Sequence, residues 1–143
     1  MFVADIMSKD VITVSPDHSL AEVASVFEVV KFRHLLVASN GKLEGIISDR
    51  DVVAHISPFL GTIDERESDR DLMNQKAYQF MSTEIITVDC ETLVDSASIL
   101  LLEHSISCLP VTYDDGSIAG ILSWKDILQY HVYGVDRTLD YKL

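Results

Sequence analysis

The sequence predicts an α+β fold built from two β-α-β-β-α repeats, and three observations carry that prediction. Residues Gly45-Ile46-Ile47-Ser48-Asp49-Arg50-Asp51 and Gly120-Ile121-Leu122-Ser123-Trp124-Lys125-Asp126 share the pattern Gly-apolar-apolar-Ser-x-basic-Asp. The match continues upstream: Ile6-Met7-Ser8 with Phe80-Met81-Ser82, Val11-Ile12-Thr13-Val14 with Ile85-Ile86-Thr87-Val88, Leu20–Ala24 with Leu93–Ala97, and His34–Val37 with Cys108–Val111. The small changes of offset between copies fall where loops are expected, as in a duplicated fold with intact elements. Half of this chain, about 70 residues, would have a thin core alone, and two repeats packed together remove that difficulty.

The elements follow in order. Val11–Val14 is a β-branched run stopped by Ser15-Pro16-Asp17, hence a strand and a turn. Ser19-x-x-Glu22 is a capping box that opens a helix, with Leu20, Val23, Val26 (or Phe27) and Val30 at helical spacing. The second copy has Thr92-x-x-Asp95 at the matching place, followed by Leu93, Ala97, Leu100 and Leu101. A strand Leu35–Ala38, the hairpin signal Asn40-Gly41 and a return strand Leu43–Ile47 come next. The second hairpin runs from Val111–Tyr113 through Asp114-Asp115-Gly116 to Ile118–Leu122. Each motif serine then starts a second helix, Asp49–Ile56 and Trp124 to about His131. That order places helices on one face of a small sheet. The expected boundaries are repeat 1 at 1–56, a connector at 57–78, repeat 2 at 79–131 and a tail at 132–143. The connector contains Pro58, Gly61 and the charged run Asp64–Asp71, which reads as a solvated, partly helical link or as a docking segment for a partner. The tail, rich in Tyr and Val, is expected to pack on the body or on a second subunit.

Bulk properties exclude several classes. A net charge of −12 argues against binding a nucleic-acid backbone. No apolar run reaches the roughly 18 residues of a membrane span. The start Met-Phe-Val-Ala-Asp has no basic region before an apolar stretch, which argues against a signal peptide. The two cysteines, Cys90 and Cys108, form no CxxC or zinc spacing and read as free thiols in a reducing cytosol. No metal spacing appears, the five histidines are scattered and no nucleophile–base pair is suggested, so the chain is expected not to be an enzyme. The apolar content of 48% leaves surface for a partner, and a homodimer is expected.

The two motifs admit two chemistries. Ser48-x-x-Asp51 and Ser123-x-x-Asp126 are capping boxes, which is the plainer reading. Each also brings a helix N-terminus to a strand end, where free N–H groups and a partial positive charge suit a phosphate. Arg50 and Lys125 sit in the first helical turn, where a cation opposes the macrodipole and so needs a reason other than helix stability. The carboxylates of Asp51 and Asp126 can accept both hydroxyls of a cis-diol. Together these groups suit a ribose phosphate. Asp49 departs from that pattern, and would repel a polyphosphate or hold an accompanying Mg²⁺.

With two such motifs, the segment Ile106-Ser107-Cys108-Leu109-Pro110-Val111 and two Ile-Thr-Val strands, the chain resembles a tandem pair of cystathionine-β-synthase-type (CBS) domains, a Bateman module, over nearly all of residues 1–131. The resemblance implies a pseudo-twofold pair with two clefts between the repeats. It implies an adenosine-containing ligand (AMP, ADP or ATP, and sometimes S-adenosylmethionine or an NAD-type compound) and regulation of a partner protein in trans. Carried over, one site would use Ser48, Arg50 and Asp51, with Ile86, Ile106, Ser107 and Cys108 lining the base. The other would use Ser123, Lys125 and Asp126, with Ile12, Phe32, Arg33 and His34, and would be the better phosphate site. Leu36 stands where the family often has the proline found here at Pro110. The implied function is a stand-alone cytoplasmic adenine-nucleotide sensor; the alternative is a ligand-free dimerisation and interaction module.

Overall fold

A computed structural model describes residues 1–30 and 32–134. Its elements are α1 (Val3–Ile6), β1 (Thr13–Val14), α2 (Leu20–Val29), β2 (His34–Ser39), β3 (Lys42–Ser48), α3 (Asp49–His55), α4 (Glu67–Asp71), a 3₁₀ turn (Leu72–Asn74), α5 (Ala77–Phe80), α6 (Val94–His104), β4 (Cys108–Thr112), β5 (Ile118–Ser123) and α7 (Trp124–Tyr133). The α+β class and the two repeats are as expected. The tail expected at 132–143 begins inside α7, and residues 135–143 lie outside the described residues.

The chain divides into two compact units that do not coincide with the sequence repeats. One is continuous, residues 12–85; the other combines 1–11 with the chain from 86 onward. In the continuous unit β1 pairs parallel with β2, and β2 pairs antiparallel with β3. Asn40 and Gly41 close the hairpin with positive φ at both positions, which is what a type I′ turn demands. Ser19 caps α2 as expected, accepting the Glu22 N–H at 3.1 Å while Glu22 accepts the Ser19 N–H at 3.3 Å. Leu20 and Val23 of α2 then meet Leu35, Val37 and Ile47 of the sheet in the core, with Ala77 and Phe80 of α5. In the other unit Val3, Ile6 and Met7 share a core with Val94, Ala97 and Leu101 of α6 and with Leu109, Val111 and Leu122 of the β4–β5 hairpin. Each copy's leading helix is therefore buried in the unit that the other copy builds.

The leading segments also complete the hairpins by main-chain pairing. Ser8 exchanges two hydrogen bonds with Ile121, at 2.9 and 3.0 Å, and Ser82 does the same with Ile46. This close approach explains the motif glycines: a Cβ on Gly45 would run into the Met81 thioether, and one on Gly120 would lie 2.6 Å from the Ser8 carbonyl oxygen.

Four expectations are corrected. The Ile-Thr-Val run of the second copy is not a strand; only Val88 bridges Val111, through Val88 N–H to Pro110 O and Thr112 N–H to Val88 O. In the first copy Thr13 pairs with Leu36, a parallel bridge that uses the Leu36 N–H; Pro110 occupies that place in the second copy and has no N–H to give. The capping box expected at Thr92 and Asp95 does not form either. The N-cap of α6 is Leu93, whose own backbone bridges Phe2, and the first helical N–H, that of Val94, goes to Met1 O at 3.0 Å. Thr92 instead closes the preceding turn with Asp89. The strand expected at Val111–Tyr113 starts earlier, because Cys108, Leu109 and Pro110 pair with Ser123, Leu122 and Ile121. The connector is partly helical as expected, but it is not solvated throughout: Ser57 and Asp69 are buried.

Candidate ligand-binding site

Both motif helices start where a hairpin strand ends. Ser48 and Ser123 keep extended backbone angles, so the chain turns into α3 and α7 only after them. Ser48 Oγ accepts the Asp51 N–H at 3.0 Å, and Asp51 Oδ2 accepts the Ser48 N–H at 2.8 Å. At the second motif the corresponding distances are 3.2 and 2.9 Å, and the Ser123 hydroxyl also donates to Asp126 Oδ2 at 3.0 Å. Each box satisfies helix-start amides that would otherwise lack partners. The glycine clamps described above fix the strands that deliver the two serines.

The two helix starts differ at the residue after the serine. Asp49 folds its carboxylate back onto the Arg50 N–H at 2.9 Å, which occupies one of the amides an incoming anion would use. Trp124 stands at the matching place with its side chain half exposed and offers no such acceptor. Arg50 and Lys125 are exposed, and neither forms an ion pair among the described residues.

Strand register brings a second group of expected residues to each start. His34 pairs with Ser48, and the Asp49 N–H donates to Arg33 O at 2.9 Å. Likewise Cys108 pairs with Ser123, and the Trp124 N–H donates to Ser107 O at 3.1 Å. Arg33 and His34 thus belong to the same unit as Ser48, Arg50 and Asp51, together with Ile12 and Phe32. Ile86, Ile106, Ser107 and Cys108 belong to the unit of Ser123, Lys125 and Asp126. Each of the two residue sets expected from the family resemblance draws on both units.

Burial sorts these side chains further. Ile12, Phe32 and Arg33 are exposed, whereas Ile86 and Ile106 are partly buried against their own unit's core. Partial burial holds the His34 imidazole below the usual histidine range, against the pull of Asp49 and Asp51 and with a smaller push from Arg33. Cys108 is buried in the apolar core and its thiol is pushed up to about 12, so it stays protonated and unreactive. Among the described residues, no three His, Cys, Asp or Glu side chains gather as a metal cluster. An open depression of about 650 Å³ lies at the tip of the β4–β5 hairpin, lined by Asp89, Glu91, Asp114 and Asp115 among others, and includes none of the expected site residues.

Two features of the site escaped the sequence. The contact of Met7 and Met81 with the motif glycines joins residues far apart in the chain. The Asp49–Arg50 hydrogen bond could have been suspected, since an aspartate at the first helical position is well placed to take an early N–H.

The family model of the CBS domain matches residues 3–58 and 77–133. An uncharacterised protein of Methanocaldococcus jannaschii, MJ1225, is 28% identical over 127 residues, which is 88% of this chain and 45% of that protein. Its crystal structure, described as a putative archaeal homologue of γ-AMPK, superposes with a TM-score of 0.80 at 27% identity and covers 91% of this chain and 47% of that one. The CBS domain pair of MJ0100, solved with 5′-methylthioadenosine and S-adenosyl-L-methionine, matches with a TM-score of 0.74 at 26% identity, over 92% of this chain and 96% of that chain. CBSX2, solved with AMP, has a TM-score of 0.78 over 92% of this chain and 96% of its own, and at 23% identity shares the fold. The chain spans between 22% and 47% of the length of the first curated relatives it matches.

Proposed function

The chain belongs to the CBS domain family, and on that premise we propose that it is a regulatory module that binds an adenine nucleotide of the AMP, ADP or ATP class and acts on a separate protein in trans. The observation that carries the reading is the pair of equivalent Ser-x-x-Asp helix starts, each with an exposed cation in its first turn. At Asp51 only Oδ2 is used by the cap, and Oδ1 has no hydrogen bond among the described residues, so a ribose diol has an acceptor to meet. The longer helix α7, with Lys125 and without a competing aspartate, is the better phosphate position. The ligands lie in the clefts that the family resemblance implies between the repeats, with Mg²⁺ accompanying a polyphosphate. A relative bound to adenosine compounds at 26% identity supports the ligand class.

The apolar surface supports the homodimer. Trp124, Leu128 and Val132 form an exposed stripe at successive turns of α7, and Ile99 and Leu102 of α6 are exposed as well. A cytoplasmic setting agrees with two free cysteines.

A second reading is favoured by one observation: the capping boxes are complete, so the serines and aspartates already have structural work. In that reading the chain is a ligand-free interaction module. Thermal unfolding with AMP, ADP, ATP or S-adenosylmethionine near 1 mM separates the two. A ligand at about 100 times its Kd adds about 2.7 kcal/mol, which is several degrees for a chain of this size. Asp126→Ala should then abolish the shift at its site. If no compound shifts the midpoint, or if Asp126→Ala only lowers stability by about 1 kcal/mol as cap loss does and leaves binding intact, the second reading stands.

A further inference from the structure

The connector is better ordered than a wet run of charge requires. Asp69 is 4% exposed. Its carboxylate accepts the Ser57 hydroxyl at 2.7 Å and the Arg66 N–H at 2.7 Å. Ser57 Oγ accepts the Phe59 N–H at 3.2 Å, the Thr62 hydroxyl donates to Phe59 O at 2.6 Å, and the Gly61 N–H reaches Glu65 Oε1 at 3.0 Å. Glu65 is also paired with Arg70 at 3.1 Å, and the Arg66 guanidinium lies 5.8 Å from the centre of the Phe59 ring. Burying a carboxylate is unfavourable unless it is fully partnered, and here the partnering serves to hold one loop in shape.

That loop presents Ile63 fully to water. Arg66 and Arg70, the connector's arginines, are exposed but already engaged, Arg66 with Asp69 and the Phe59 ring and Arg70 with Glu65. Asp64, Glu67 and Asp71 form no ion pair among the described residues. The result is an apolar side chain on a preordered frame, in a loop whose charges outside ion pairs, Asp64, Glu67 and Asp71, are negative. A second copy of a chain carrying −12 is repelled there, and so is any anionic surface. Preordering lowers the entropy lost on association, and a single buried apolar anchor can dominate an interface.

We propose that the connector loop around Ile63 is the surface through which the module engages its regulated protein, and that this protein offers an apolar recess rimmed by Lys and Arg. The inference deepens the trans-acting reading above and names the face and the partner's chemistry. The exposed acids steer the encounter and Ile63 supplies the anchor.

The test selects a displayed random-peptide library on the immobilised full chain with no nucleotide present. The proposal expects enriched peptides with Lys or Arg flanking an aliphatic or aromatic residue. They should bind Ile63→Ser at least about tenfold more weakly, lose affinity as salt rises, and bind Tyr113→Ser, an exposed residue of the other unit, as well as wild type. Asp69→Asn, which keeps every exposed side chain but loosens the frame, should also weaken them. Absence of enrichment, peptides without basic residues, or equal binding to Ile63→Ser overturns the proposal. Melting of Ile63→Ser with and without nucleotide is read in parallel; a wild-type nucleotide shift there leaves the ligand reading standing whichever way the selection falls.

Discussion

Alanine at Gly120 tests whether the leading segments are structural parts of the units they enter. A Cβ there would lie 2.6 Å from Ser8 O, 2.8 Å from Met7 Sδ and 3.2 Å from Met7 Cγ. The first of these is main chain, and it accepts one of the two hydrogen bonds joining Ser8 to Ile121. Relief of the clash requires the leader to lift from the hairpin. Overpacking costs about 1–3 kcal/mol, and each of the two bridge bonds is worth about 1 kcal/mol. The expected loss is therefore about 3 kcal/mol, or roughly 10 °C of melting temperature for a chain this size. Gly45→Ala is the internal control. Its Cβ would meet the Met81 side chain, whose terminal atoms can rotate away, so about 1 kcal/mol is expected. Met81→Ala should rescue Gly45→Ala, whereas Met7→Ala should not rescue Gly120→Ala, because the Ser8 carbonyl remains. Denaturant midpoints of the six chains and wild type decide the matter. Equal losses at the two glycines, or rescue of Gly120→Ala by Met7→Ala, would refute the reasoning.

Leu36→Pro copies the second repeat into the first; it should reduce β1 to a single bridge at Val14 and cost about 2 kcal/mol through the lost N–H and lost side-chain volume, read as a lower denaturant midpoint. His34 is held below its unfolded pKa, so between that depressed value and about 6.5 the unfolded chain binds more protons and stability falls as the pH drops. His34→Gln should flatten that part of the pH–stability curve measured from pH 7.5 to 5.5; an unchanged slope would remove His34 as its source. If the chain forms the proposed homodimer through α7, Leu128→Ser together with Val132→Ser should give a monomer in light scattering where wild type gives a dimer; both side chains are more than half exposed.

Legibility followed the range of the interactions. Signals contained within a few residues were readable: the Ser19–Glu22 box, the Asn40-Gly41 turn and both motif capping boxes stand as the sequence suggests. Failures arose where a distant residue competes. The Thr92–Asp95 pattern has the right residues, but the backbone of Met1 and Phe2 takes over the start of α6. The run Ile85–Val88 is β-branched as a strand should be, yet beside the Val88–Val111 bridge stands Pro110, which has no N–H to extend the pairing. The charged connector reads as wet by composition, and the burial of Asp69 depends on Ser57, twelve positions earlier. At the candidate site the two helix starts, with their capping serines and aspartates, were legible. The clamping of each motif glycine by a methionine from the other copy's leader was not, because nothing local records it.

That the sequence of one unit interrupts the sequence of the other has a consequence for synthesis. Residues 12–85 form an unbroken segment, so that unit can close while the rest of the chain is still being made. The leader cannot. Val3, Ile6 and Met7 emerge ahead of that unit, yet their core partners Leu109, Val111 and Leu122 emerge about a hundred residues later, roughly 5–20 s at ordinary translation rates. For that interval the apolar side chains of residues 1–11 wait without their core partners, open to chaperones, proteases and neighbouring nascent chains.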